Sequence, residues 1–257
     1  MTAASIPVLT YHSISDEPGP TSIPLSVFSE QMKAITDCGV TVLDLDQFLA
    51  WRKGEFEVSQ PSIAITFDDA FQDYADAAYP VMARLGFPSC VFAPSAALGA
   101  SENWYGANER RRRLMDWSTI TELSDGLASF GSHTRTHADL TKISGETLIA
   151  EIADSKHELE DRLGKPVRHF APPYGHSNKA ARDEIARHYA ASFGVRLGKA
   201  GRNAPIFDFP RIEMHYYRDL PRWRDFLTGR GGAYFQIRRA ARGVREAAEK
   251  ILRPQPR

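Results

Sequence analysis

Ile63-Ala64-Ile65-Thr66-Phe67-Asp68-Asp69-Ala70 is a short apolar, β-branched run that ends in two adjacent carboxylates. It has no helical period, and a continuous apolar run of this length reads as a strand buried on both faces, as in parallel sheets. Two like charges at the end of a buried strand are costly unless a metal, a base or a shared proton compensates them. The plainer alternative is that Asp68 and Asp69 cap the helix that follows.

Outward from this strand, strand-like and helix-like stretches alternate. Toward the N-terminus, Ile6 to Tyr11 reads as a first strand that delivers His12 at its end, and a Pro/Gly/Ser loop runs through Pro24. Ser26 is expected to cap a helix with Phe28, Met32 and Ile35 on one face and Gly39 as its stop. Thr41 to Leu45 forms a second strand and Asp46 to Lys53 a short helix. Toward the C-terminus, a helical stretch with Tyr79, Val81, Met82 and Leu85 precedes a strand from Ser89 to Ala93, and Ala128 to Ser132 leads into His133-Thr134-Arg135-Thr136-His137. Ser144 starts a long helix with Leu148, Ile152, Leu159 and Leu163 on one face and Gly164 as its stop. Val167 to Ala171, Ala190 to Val195 and Phe209 to Glu213 complete the strands, with a helix capped by Asn178 among them. This order predicts an α/β fold with parallel strands closed into a barrel over residues 1–228, and chemistry at the C-terminal strand ends.

At 257 residues, 42% apolar and formally neutral, the chain has room for a substantial core, and nothing global points to nucleic acid. Cys38 and Cys90 read as small buried hydrophobes and not as a disulfide. The start lacks a basic segment, its apolar run is too short for a signal peptide, and no stretch approaches the roughly 18 apolar residues of a membrane span. The expected location is therefore cytoplasmic. Residues 229–257 carry eight Lys/Arg against two Glu, with Ile237, Ala240, Ala241, Val244, Ala248, Ile251 and Leu252 near helical spacing. This basic amphipathic helix lies either on an anionic membrane surface or on the protein's own acidic body. Between residues 94 and 113 a polar loop carries Trp104 and Tyr105, which either stack on a sugar ring or belong to a solvated insertion. The run Arg110 to Arg113 either meets an anion or is a solvated face.

His133 and His137 stand four residues apart, a spacing that returns to the same side in a helix and in a strand. Two imidazoles and one carboxylate from another strand end make the three-ligand set of catalytic zinc, with a fourth position left for water. Thr66 to Ala70, Gly131 to His137 and Ala171-Pro172-Pro173-Tyr174-Gly175, in this order, resemble the first three motifs of the polysaccharide deacetylases, carbohydrate esterase family four. The resemblance spans roughly residues 6 to 215 and implies a distorted (β/α)7 barrel. It also implies hydrolysis of the N-acetyl amide, or an O-acetyl ester, of an acetylated saccharide by a metal-activated water.

Carried over, it makes Asp69, His133 and His137 ligands of a divalent metal, zinc first, Asp68 the catalytic base and the Tyr174 backbone N–H an oxyanion donor. Trp104, Tyr105, Pro173 and Tyr174 would line the substrate. The acid that protonates the leaving amine is His12, as in the poly-N-acetylglucosamine branch with an early Tyr-His, or else His215 in Glu213-Met214-His215. Phe170-Ala171 stands where the family places an Arg that orients the base, and Arg211 is expected to supply that guanidinium. Ala70 and Ala138 replace a usual Gly and Pro and remove no functional side chain. Two other readings remain: a non-catalytic saccharide-binding barrel that keeps the metal for structure, and a deacylase of a small non-sugar amide.

Overall fold

The computed structural model describes residues 5–104 and 111–252, with side chains as far as Gly243. After the short β1 (Ser5–Ile6), chain order runs β2 (Val8–Tyr11), α1 (Leu25–Asp37), β3 (Thr41–Leu43), α2 (Leu45–Lys53), β4 (Ser62–Asp68), α3 (Tyr79–Leu85) and β5 (Ser89–Ala93). Then come α4 (Trp117–Ser124), β6 (Ala128–Ser132), α5 (Gly145–Ile149), α6 (Ser155–Leu163), β7 (His169–Phe170), α7 (Lys179–His188), β8 (Ala191–Leu197), β9 (Ala200–Gly201), β10 (Phe209–Glu213), α8 (Leu220–Leu227) and α9 (Gly232–Leu252). The strands β2, β4, β5, β6, β7, β8 and β10 pair in parallel in a closed circuit, sealed where β2 sits between β4 and β10. The fold is the expected (β/α)7 barrel, with β3 added beside the start of β4 and a small β1–β9 pair outside the circuit.

Every residue of β4 is buried, and the strand's alternation divides two cores. Ala64 joins Val8, Cys90, Phe92, Phe193 and Phe209 inside the barrel, where α2 adds Phe48 and Trp51. Ile63, Ile65 and Phe67 face the helical shell with Phe28, Met32 and Tyr74. The same parity continues upward. Thr66 and Asp68 on β4, Arg211 and Glu213 on β10, and Thr10 and His12 on and after β2 fall on the interior register and make contacts there. Polar residues therefore occupy the barrel's C-terminal mouth directly above an aromatic floor.

Local signals act as the sequence suggests at several ends. Asp44 and Gln47 form a reciprocal capping box on α2, the Asn178 side chain accepts from the Ala181 N–H, and Gly54, Gly86 and Gly164 end helices in the left-handed region. Both cysteines are free. Two expectations are corrected. Helix α1 begins at Leu25 with Pro24 at its N-cap and no side-chain cap, because Pro24 already supplies the extended entry that Ser26 was expected to provide. The strand expected from Val167 to Ala171 pairs only over His169–Phe170, since the chain turns at Pro172-Pro173.

Helix α9 starts against the body of the protein. Phe235 is buried 6.0 Å from the Phe226 ring, and the Tyr234 hydroxyl donates to the Tyr216 carbonyl at 2.9 Å. No helix of the described residues is long and apolar enough to cross a membrane.

Candidate active site

At the mouth of the barrel the two adjacent carboxylates part company. Asp69 has a left-handed backbone (φ 74°), as does Ala70 (φ 57°), so the chain reverses as it leaves β4. Asp68 meets Arg211 through two parallel hydrogen bonds of 2.7 Å, donated by Nη1 and Nη2. Asp69 instead lies 3.4 Å from His133 Nε2 and 3.1 Å from His137 Nε2.

The histidines converge by a route that the four-residue spacing does not describe. His133 follows β6, and the segment to His137 is neither helix nor strand: Thr134 (φ 64°) and His137 (φ 63°) are both left-handed. This turn is held by Glu151, a buried carboxylate on the π-helical turn between α5 and α6 (Ala150–Asp154), which accepts from the backbone N–H of Arg135 and of Thr136, each at 2.9 Å. Together with Tyr174 (φ 59°), these are the five non-glycine residues with positive φ among those described, and all lie in the three motifs. Each such conformation costs on the order of 1 kcal/mol or more and persists only where surrounding contacts impose it.

The donor set fits a metal. One ligand atom from each of Asp69, His133 and His137 lies within 4.8 Å of the others, and all three residues are buried. His133 Nδ1 donates to the Ala171 carbonyl at 2.7 Å, which orients the ring with Nε2 toward Asp69. Burial pushes the Asp69 carboxyl up, but the two imidazoles outweigh it and hold it well below the usual carboxylate range. Burial holds the His137 imidazole down, which favours the neutral ligand form.

Asp68 is likewise raised by burial, and the Arg211 guanidinium, with His133 and His12 beside it, leaves it below its ordinary value. His12 sits between two acids: its Nε2 is 3.9 Å from Asp68 Oδ2 and its Nδ1 is 3.9 Å from Glu213 Oε1. His215 lies on the turn after β10 with Arg218 and Arg238 nearby, and burial together with these cations holds its pKa down.

A family profile described as polysaccharide deacetylase matches residues 56–194, over half of the chain, and includes all three motifs. The chain belongs to the polysaccharide deacetylase family. The deacetylase is 23% identical over 212 residues to the Bacillus subtilis (strain 168) protein YxkH, itself named for polysaccharide deacetylase, covering 82% of this chain and 72% of that one. It is 27% identical over 170 residues to a poly-beta-1,6-N-acetyl-D-glucosamine N-deacetylase of Staphylococcus aureus, covering 61% of this chain and 55% of that protein's length. Among solved structures, IcaB from Ammonifex degensii superposes with a TM-score of 0.73 at 20% identity, over 90% of this chain and 98% of that one. That similarity speaks for the fold.

Of the other expected residues, Trp104, Pro173 and Tyr174 lie among those described. Trp104 stacks on His137, with ring centroids 4.0 Å apart and planes at 15°, so one indole face is occupied by the protein itself. The Tyr174 ring is exposed and meets His137 edge-on at 4.9 Å, whereas Pro173 is buried. Tyr105 and Arg110 lie outside the described residues. Arg112 pairs with the buried Glu102: its Nε and Nη2 donate at 2.7 and 3.0 Å, and its guanidinium lies 3.9 Å from the centroid of the Phe71 ring. This pair closes the base of the loop that carries Trp104. Glu102 and Glu151 escaped sequence reasoning, because a lone Glu in a polar loop or an amphipathic helix looks like ordinary surface.

Proposed function

We propose that this deacetylase hydrolyses the N-acetyl amide of an acetylated hexosamine, with Asp69, His133 and His137 holding a divalent metal, zinc by the character of the donors. Bound there, the metal supplies Lewis acidity toward the acetyl carbonyl and toward water. The observation that carries the reading is the division of two neighbouring carboxylates, one gathered with the imidazoles and one held apart by a bidentate arginine.

The chain's own groups do the rest. Arg211 fixes Asp68 as an ionised acceptor, and Asp68 takes the proton of the attacking water. The Tyr174 backbone N–H, on its left-handed turn, donates to the oxygen that becomes negative in the tetrahedral intermediate. His12 gives its proton to the nitrogen as the C–N bond breaks, since an amine leaves poorly without one. Its place 3.9 Å from Asp68 supports His12 over His215 in this role. The name of the Staphylococcus aureus relative supports an N-acetylated glucosamine unit as substrate.

Acetate release from N-acetylglucosamine oligomers tests the proposal. We expect turnover that a chelator abolishes and zinc restores, and a loss of about 10²–10⁴-fold for Asp68→Asn. Wild-type turnover by Asp68→Asn with metal bound would overturn the assignment.

A further inference from the structure

Beside the catalytic mouth lies an open cleft of about 800 Å³ whose inner wall includes His12 and Tyr174, so it continues directly from the place where the leaving amine must sit. Four guanidiniums line it, one of them, Arg196, 3.9 Å from the Asp208 carboxylate. Arg182 comes from α7, Arg196 from β8, and Arg238 and Arg242 from successive turns of α9. The acids lining the same cleft are Asp208 and Glu213, so the local balance is 4 − 2 = +2 in a chain whose formal charge is zero. Two of the arginines are pre-set. Arg182 Nη1 donates to the Ser177 carbonyl at 2.9 Å, and Arg238 Nε donates to the Tyr234 hydroxyl at 3.0 Å with its guanidinium 5.3 Å over the Tyr216 ring. Guanidiniums fixed in this way lose little freedom on meeting an anion, and their donor geometry matches phosphate oxygens.

We infer that the substrate is an N-acetylated sugar carrying a diphosphate, with the sugar at His12 and Tyr174 and the diphosphate against Arg182, Arg196, Arg238 and Arg242. The inference rests on the deacetylase reading of the mouth and adds to it the charge of what is attached to the sugar. It also gives the basic helix α9 a task on the enzyme's own substrate. A cleft of this volume accommodates one or two sugars and a diphosphate.

The test has a catalytic arm and a binding arm. In the first, acetate release is compared for uridine diphosphate N-acetylglucosamine, a short prenyl diphosphate N-acetylglucosamine, and neutral di-N-acetylchitobiose. The expected result is a KM at least tenfold lower for the diphosphate sugars than for the neutral one, with the prenyl and uridine forms separating a lipid-linked from a nucleotide-linked source. The preference should collapse toward parity in Arg238→Ala/Arg242→Ala and in Arg196→Ala, and it should weaken as salt rises. Because a diphosphate also ligates metals, the arginine variants decide the matter.

In the second arm, calorimetric binding of the same three compounds to Asp68→Asn separates failure of this inference from failure of the deacetylase reading. Selective binding of the diphosphate sugars that the arginine variants lose would sustain the cleft assignment even if no acetate were released. Equal binding or turnover of the neutral sugar, or a preference untouched by the arginine variants when their thermal unfolding matches wild type, would overturn it.

Discussion

Arg211 has 2% of its surface exposed, and its guanidinium is met on several sides by hydrogen-bond acceptors. Two bonds go to Asp68, Nε donates to the Gly194 carbonyl at 2.8 Å, and Nη1 also reaches Thr66 Oγ1 at 3.2 Å. Removing one member of such a pair leaves the other charge stranded, so Arg211→Ala should cost about 3–5 kcal/mol in denaturant unfolding and abolish turnover. The double variant Arg211→Met/Asp68→Asn should regain much of that stability and none of the activity. If the double variant is as unstable as Arg211→Ala alone, the stranded-charge account fails. The sign of the pH effect follows from the lowered Asp68 pKa. The pair's contribution is present above the ordinary carboxylate value near 4 and is lost as the pH falls through the lower folded value.

Among the elements, the turn Pro173–Gly175 shows how closely the backbone at the mouth is specified. Gly175 has φ +68°, and a Cβ placed there would come within 2.1 Å of Val195 Cγ2. Gly175→Ala must therefore move either β8 or the preceding Tyr174. It should lower stability by about 1–3 kcal/mol and lower kcat through displacement of the Tyr174 N–H, as thermal unfolding and steady-state kinetics would report. An unchanged kcat in a folded Gly175→Ala protein would remove Tyr174 from the mechanism.

The elements were legible where their signals are local. Short apolar runs without helical period marked β2, β4 and β5, glycines marked helix ends, and each of the three motifs is contiguous in the chain. Arg211 could be nominated because the usual motif position holds Phe170-Ala171 and a last strand offered an arginine. What the sequence hid depends on contacts between distant segments. The left-handed path from His133 to His137 is imposed by Glu151, fourteen residues farther on, and no propensity of Thr134 or His137 announces it. The arginines of the cleft come from three elements that meet only in the closed barrel, so they read singly as solvated surface.

At the scale of the whole molecule, β2 is the keystone of the barrel, since Leu9 pairs with Ile65 on one side and with Ile212 on the other. That second pairing joins residues some two hundred positions apart, and closing so long a loop delays the contact during folding. The strands from β4 to β8 can zip between sequence neighbours, whereas the seal between β2 and β10 has to wait for both ends of the fold. In pulsed hydrogen exchange during refolding, the amides of Thr10 and Glu213 should gain protection after those of Phe67 and Val91. Simultaneous protection would contradict this order. His12 directly follows β2 and Arg211 lies on β10, the two strands of that seal, while Asp69, His133 and His137 follow β4 and β6. In the proposed mechanism, Asp69, His133 and His137 can thus assemble before His12 and Arg211 arrive, and catalytic competence becomes the last thing the folding chain acquires.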